Sequence, residues 1–305
     1  MVYNHIALIG LGLISSSIAL AIRRKNKSVK ITGTSRSPET RKKADKLGLC
    51  EVRNTVVEAV KDAELVILCV PVGAMASVVK EFAGTLKSGV TVTDVGSVKV
   101  EVIAKISPLL PPDVNFIPGH PLAGTENSGP EAGFASLFDN RWCLLTPLKD
   151  CSREPIQMLR SFWEELGAKV DEMDAEHHDL VLAVTSHVPH LIAYTMVGVA
   201  DDLANITKSE VINYSAAGFR DFTRIAASDP TMWRDVFLNN KEASLEILGR
   251  FNEELAALQR AVRRGDGEFL FDYFTRTREV RRRILEAGQD IDEPNFGRGK
   301  HGSNL

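Results

Sequence analysis

The sequence has no excess of charge of either sign. Its 37 Lys and Arg stand against 40 Asp and Glu, for a net charge of -3 and a pI of about 6.2. A stripe that would attract nucleic acid or an anionic membrane surface is therefore not expected. Cysteine is scarce. The four present (Cys50, Cys69, Cys143 and Cys151) show no metal-ligand spacing, which fits reduced thiols and predicts no metal site. No apolar run approaches the roughly 18 residues of a membrane span. The apolar segment after His5 is short and runs into glycines, so it does not read as a signal peptide. No internal repeat or low-complexity block is present. These absences predict a cytoplasmic protein with neither nucleic acid nor membrane as a partner.

What is there is ordinary globular material: 305 residues, 44% hydrophobic and 25% charged, enough for two domains. His5 to Ile9 reads as a short strand, followed at once by Gly10-Leu11-Gly12-Leu13-Ile14-Ser15 and a helical pattern from Ser17 to Arg24. Strand, glycine turn and helix form the setting of a dinucleotide fingerprint. Gly10 suits the tight turn, and Gly12 lets backbone approach a pyrophosphate at the helix N-terminus. Ser15 stands where a third glycine is usual. The second strand, Val29 to Gly33, ends in Thr34-Ser35-Arg36 with no acid to bind a ribose 2'-hydroxyl. Ser35 and Arg36 would suit a 2'-phosphate, so the reading leans to NADP and leaves NAD open. Arg36 could equally stack on adenine or face solvent.

Helix Pro38 to Leu47, strand Leu65 to Val70 closed by Pro71, helix Met75 to Leu86 and strand Val90 to Asp94 continue an alternating βαβ pattern. The pattern predicts a doubly wound, mostly parallel sheet over residues 1–173. Ligands of such sheets sit beyond the carboxyl ends of the strands, where Gly10, Gly12, Leu13, Ile14, Ser35, Arg36, Val70 and Pro71 are assigned to the cofactor. Ser97 follows one strand end. Another, Asn115 to Pro118, delivers Gly119-His120-Pro121-Leu122-Ala123-Gly124-Thr125-Glu126. Trp142 to Pro147 and Ala168 to Met173 read as further strands around a helix from Pro155 to Leu166.

From Asp174 to Gly288 strand signals nearly vanish, which predicts an all-α domain over 174–288, before a polar tail over 289–305. Asp174 to Leu203 reads as one long helix with apolar positions at Leu180, Ala183, Val184, Val188, Leu191 and Ala193. Its second half, Leu191 to Ala200, is apolar enough to predict burial on more than one face. His187 and His190 share a face at its centre, and Pro189 between them predicts a kink against the Thr185 carbonyl. Further on, Arg220 and Arg224 would face together if helical, and Ser228-Asp229-Pro230 reads as a helix start.

Taken together, Gly119-His120-Pro121 with Ala123-Gly124-Thr125-Glu126, Ser186-His187-Val188-Pro189-His190, and Phe219-Arg220-Asp221-Phe222-Thr223-Arg224 resemble the prephenate and arogenate dehydrogenase family of tyrosine synthesis. The resemblance covers about residues 5 to 285. It implies a Rossmann-type nucleotide-binding domain followed by an all-α dimerisation domain, hence a homodimer. It places the catalytic histidine on His120 and the serine that orients it on Ser97. Substrate-binding roles fall on His187, His190, Arg220, Arg224 and Thr125, with Arg224 for the ring carboxylate. Glu126 and Asp221 match a gating ion-pair network. Neither a regulatory domain after the helical half nor a fused chorismate mutase is expected.

The implied reaction is an NAD- or NADP-dependent oxidative decarboxylation of prephenate or arogenate. It asks the protein for a neutral histidine as base and for cations to hold a dianionic substrate. Two other readings stay open. A β-hydroxyacid dehydrogenase or imine reductase shares the two-domain plan but usually relies on a lysine in the helical half. A non-catalytic NADP-sensing regulator would not need Ser97, His120, His190 and Arg224 around one crevice.

Overall fold

A computed structural model describes residues 1–213 and 215–286, and the side chains of these apart from 203–213. The tail expected over 289–305 lies outside the described residues. Two compact units divide at Ile247/Leu248.

The first unit is built on a six-stranded sheet of order β3-β2-β1-β4-β5-β6, parallel throughout. The strands are β1 (His5–Ile9), β2 (Lys30–Thr34), β3 (Glu51–Val52), β4 (Leu65–Leu68), β5 (Thr91–Asp94) and β6 (Asn115–Phe116). β1 is buried at every position, as a central parallel strand covered on both faces must be. Its period-2 alternation feeds two cores: Ile6 and Leu8 join one, Ala7 and Ile9 the other. Helices α1 (Leu13–Lys25), α2 (Pro38–Lys46), α3 (Val56–Val60), α4 (Val72–Phe82) and α5 (Val100–Ile106) supply the crossovers. Local chemistry starts two of them. Ser37 caps α2 with Pro38 behind it, and Thr55 and Glu58 form a capping box on α3.

The later strands form a sheet of their own, order β7-β8-β9. They are β7 (Gly119–Pro121), β8 (Trp142–Leu145) and β9 (Lys169–Glu172). β7 runs antiparallel to β8 and pairs His120 with Leu144. His120 therefore sits on a strand, not in a free loop. Helix α6 (Arg153–Glu165) buries Ile156, Leu159, Phe162 and Trp163 on this side.

The long helix forms in three pieces: α7 (Ala175–Leu182), a π-helical turn (Ala183–His187) and α8 (Val188–Asn213). Asp174 caps α7. The π turn lies where the Pro189 kink was expected. Its wider ring relieves the clash between the proline and the carbonyl four residues back. Two expectations about this helix fail. Leu180 and Val184 are exposed, and so are Met196, Val197 and Val199 in the half expected to be buried on several faces. Among the described residues nothing covers that surface. The stretch Ala175–Asp202 does reach the length and mean hydropathy, 1.5, of a membrane-crossing helix, against the expectation that none would. Yet it carries His178, Asp179 and His187 buried within the first unit.

α9 (Ala217–Thr223) ends before Arg224, which begins a 3-10 turn. α10 (Pro230–Asn239) starts on an Asp229 cap, as expected. The Asp235 carboxylate of α10 accepts the Gly73 N–H at the start of α4, at 3.2 Å. α11 (Lys241–Arg264) crosses the division between units. In the second unit, α12 (Gly267–Glu286) exposes Phe269, Phe271 and Phe274.

Candidate active site

The glycine turn forms as expected. Gly10 has φ +98°, and a Cβ there would lie 2.6 Å from the Cys69 carbonyl oxygen and 2.9 Å from Val70. Only glycine fits, and the contact brings Val70, with Pro71 behind it, against the turn. The Gly10 N–H donates to the Thr34 carbonyl at 2.9 Å, which sets Ser35 and Arg36 beside the same turn. Gly12 caps α1 with no side-chain bond and has open space above it. Leu13 and Ile14 form the first helical turn. No acid stands in that turn, so its free N–H groups suit an anion. The Ser15 hydroxyl turns back to donate to the Gly12 carbonyl at 3.0 Å, which explains how serine replaces the third glycine. These residues fit the pyrophosphate of a dinucleotide. Ser35 is half-buried and Arg36 exposed, with the loop held by the Arg41 guanidinium on the Ser35 carbonyl.

Beyond the carboxyl end of β5 lies a buried polar network. Lys99 and Asp94 are both fully buried and form an ion pair. The Lys99 ammonium also donates to the Gly119 carbonyl at 2.7 Å, and Asp94 accepts the Gly96 N–H at 2.8 Å and the Gly119 N–H at 3.3 Å. This anchors the strand residue just before His120. The His120 Nδ1 lies 2.9 Å from His178 Nε2, and His178 Nδ1 lies 2.8 Å from Asp179 Oδ1. Asp179 in turn accepts the backbone N–H groups of Lys99 and Val100 at 2.7 and 2.9 Å, which closes the start of α5.

Burial pushes His120 well below the ordinary histidine pKa, and repulsion from His178, Lys99 and His187 adds to it. Burial likewise lowers His178, against the pull of the Asp179 hydrogen bond. It takes His187 to about 4, with Asp179 and the nearby Ser97 backbone opposing. Burial also lowers Lys99, with Asp94 opposing.

From His187 the site extends outward. Its Nδ1 lies 3.0 Å from Asn240 Nδ2. Its ring meets Trp233 edge-on, and His190 stacks on the same indole with centroids 3.7 Å apart. The His190 Nδ1 donates to the Ser186 carbonyl at 2.8 Å. Burial lowers its pKa, and the charge of Arg224 adds to the shift. Arg224 pairs with Glu126 at 3.0 Å, both about one-third exposed. His120, His187, His190, Arg224 and Glu126 thus follow one another along a single arc. Thr125, beside Glu126, accepts the Asn127 N–H.

Arg220 and Asp221 are exposed on α9. Ser97 is half-buried beside the arc, and the His120 Nδ1 faces His178. Residues not singled out from the sequence are Asp94, His178, Asp179, Trp233 and Asn240. A signal for the histidine existed: His178 and Asp179 precede buried Leu182 and Ala183 by one helical step of four, whereas His177 faces solvent.

Residues 18–172 match the family described as prephenate dehydrogenase, nucleotide-binding domain, and residues 174–276 the prephenate dehydrogenase, dimerization domain. A cyclohexadienyl dehydrogenase from Zymomonas mobilis is 42% identical over 95% of this chain and 99% of its own. A prephenate dehydrogenase from Bacillus subtilis is 37% identical over 91% of this chain and 75% of its own. Among solved structures, prephenate dehydrogenase from A. aeolicus in complex with hydroxyphenyl propionate and NAD+ superimposes with a TM-score of 0.84 at 33% identity, covering 92% of this chain and 98% of that one. With its glycine turn, its buried histidine and both domain families matched in order, the chain belongs to the prephenate dehydrogenase family.

Proposed function

We propose that this chain catalyses the oxidative decarboxylation of prephenate or arogenate with a nicotinamide dinucleotide, in tyrosine synthesis. The observation that carries the reading is the arc from buried His120 through His187 and His190 to Arg224, in a chain that also holds a glycine turn fit for a dinucleotide. When bound, the nicotinamide accepts the hydride from the substrate's ring alcohol carbon. The protein's own residues do the rest. His120, neutral near pH 7, takes the hydroxyl proton through Nε2. Ser97 is assigned to the substrate hydroxyl, since His178 occupies the other ring nitrogen of His120. Arg224, with His190 beside it, holds the ring carboxylate, and Glu126 holds Arg224 when no anion is bound. Arg220 and Thr125 are assigned to the substrate side chain. Gly10, Gly12, Leu13, Ile14, Val70 and Pro71 would hold the cofactor, and Ser35 and Arg36 favour a 2'-phosphate, hence NADP.

We assign a homodimer through the helical half and a cytoplasmic location on the same reading. The dimerization-domain match and the uncovered apolar residues of α8 support the first. Absorbance at 340 nm with prephenate and arogenate, each with NAD and with NADP, tests the function. At least one pair gives turnover, and the NADP arm is the faster. Silence in all four arms refutes the activity, and NAD alone at work refutes the assignment of Ser35 and Arg36.

A further inference from the structure

The hydrogen bonds behind His120 have a fixed direction, and it can be read from one end. Asp179 accepts backbone N–H groups from both Lys99 and Val100, as an ionised carboxylate at a helix N-terminus should. An ionised carboxylate can only accept. The His178 nitrogen 2.8 Å from it, Nδ1, therefore carries the proton and donates. The His178 Nε2 of the neutral ring is then a bare lone pair. It can only accept from its neighbour 2.9 Å away, His120 Nδ1, which must carry a proton too. The remaining nitrogen of His120, Nε2, is left unprotonated. The network lies out of solvent, with His178 fully buried and His120 at 8% exposure, so water does not compete for these bonds.

We propose that His178, directed by Asp179, is a positioning residue that locks His120 in the Nδ1–H tautomer and shares the positive charge His120 acquires on accepting a proton. The inference rests on the reading of His120 as the base. As the substrate O–H bond breaks, its electron pair stays on oxygen and the proton goes to His120 Nε2. The resulting imidazolium keeps its Nδ1–H bond to His178, whose own Nδ1–H remains on Asp179. A negative charge then stands at the far end of a three-member chain. It counters the other groups facing His120, namely Lys99 and His187, and Lys99 is already committed to Asp94. Without this support a base so deeply buried would be a poor proton acceptor. The same logic, a buried carboxylate fixing the tautomer of a histidine base, operates in serine protease triads, here with a second imidazole interposed.

Two measurements test it. In the unliganded wild-type enzyme labelled with 15N-histidine, two-bond 15N–1H correlations near neutral pH report the tautomer of each ring. His120, identified by its loss in His120→Asn, is expected as Nδ1–H. Finding it as Nε2–H overturns the proposal and needs no variant at His178. The second measurement uses His178→Gln, which leaves both backbone bonds of Asp179 in place but can donate as readily as accept. In this variant the His120 signal shifts toward a mixture of tautomers. kcat falls by about 10²-fold, the scale expected for a misplaced reacting group, the pH profile of kcat moves, and cofactor affinity stays the same. Wild-type kcat and pH profile in His178→Gln, with His120→Asn inactive, overturn the proposal alone. Wild-type turnover in His120→Asn overturns the reading of His120 on which it rests.

Discussion

Replacing Asp94 by asparagine is the severest single change expected among the polar groups of the site. Both members of the Asp94–Lys99 pair are fully buried. The Lys99 ammonium has one further acceptor, the Gly119 carbonyl, whereas the Asp94 carboxylate has two further donors, the Gly96 and Gly119 N–H groups. The two single variants should therefore differ. Asp94→Asn leaves a buried ammonium with neutral acceptors only, at a cost of about 3–5 kcal/mol. Lys99→Met leaves a carboxylate still served by backbone, at about 1–3 kcal/mol. The double variant should be milder than the sum of the two by about 1–3 kcal/mol, because no charge is left alone. In a unit of this size about 2–4 °C accompanies each kcal/mol, so Asp94→Asn should lower Tm by about 6–20 °C. Urea unfolding of the four proteins at pH 7 completes the cycle. Additive losses, or an Asp94→Asn variant milder than Lys99→Met, would refute the picture of a dry, mutually dependent pair.

Three other outcomes follow from the structure. Arg224→Ala should raise the substrate KM with kcat less affected, by about 1–3 kcal/mol for one charge-assisted contact at a partly exposed site; an unmoved KM would remove Arg224 from carboxylate binding. His187 has a folded pKa of about 4 against an ordinary 6.5, so the unfolded chain binds more protons between those values. Its contribution is complete above pH 6.5 and is lost as pH falls to 4, about 3 kcal/mol in all. The pH dependence of the urea midpoint should flatten over that window in His187→Gln, and an unchanged slope would contradict the burial argument. Arg36→Glu should raise the KM for NADP by about tenfold, the value of one charged hydrogen bond, and leave that for NAD alone; equal effects on both cofactors would remove Arg36 from phosphate recognition.

The parts of this site that sequence revealed are those fixed by local rules. A strand, two glycines and a helix can be recognised within one stretch of about a dozen residues, and Gly10 and Gly12 sit where that rule puts them. His120 is marked by its glycine and proline neighbours and by the strand end that delivers it. The groups behind His120 carry no such mark. Asp174-Ala175-Glu176-His177-His178-Asp179 reads as a polar first helical turn, where acids belong for local reasons alone. Beyond the helical step to Leu182 and Ala183, it is the tertiary fold that turns His178 and Asp179 inward, while His177 and Glu176 stay out. Lys99 is hidden in the same way: one lysine between two valines gives no hint of a buried partner five residues earlier. The separate small sheet was also missed as a unit, because strand runs do not state their partners. Burial of the long helix was overstated at Met196, Val197 and Val199, since apolar composition cannot say which surface, or whose, provides the cover.

The start of α5 is closed by Asp179, some 80 residues further along, and that of α4 by Asp235, 162 residues on from Gly73. A recombinant fragment ending at residue 173 would keep every strand of both sheets but lose both of these distant carboxylates, leaving amide groups of Gly73, Lys99 and Val100 to find solvent. The helical segment through α10 is therefore a finishing piece of the nucleotide-binding half as well as its neighbour. Dissecting or swapping the two halves at that sequence boundary would cost the first of them its integrity before any question of catalysis arose.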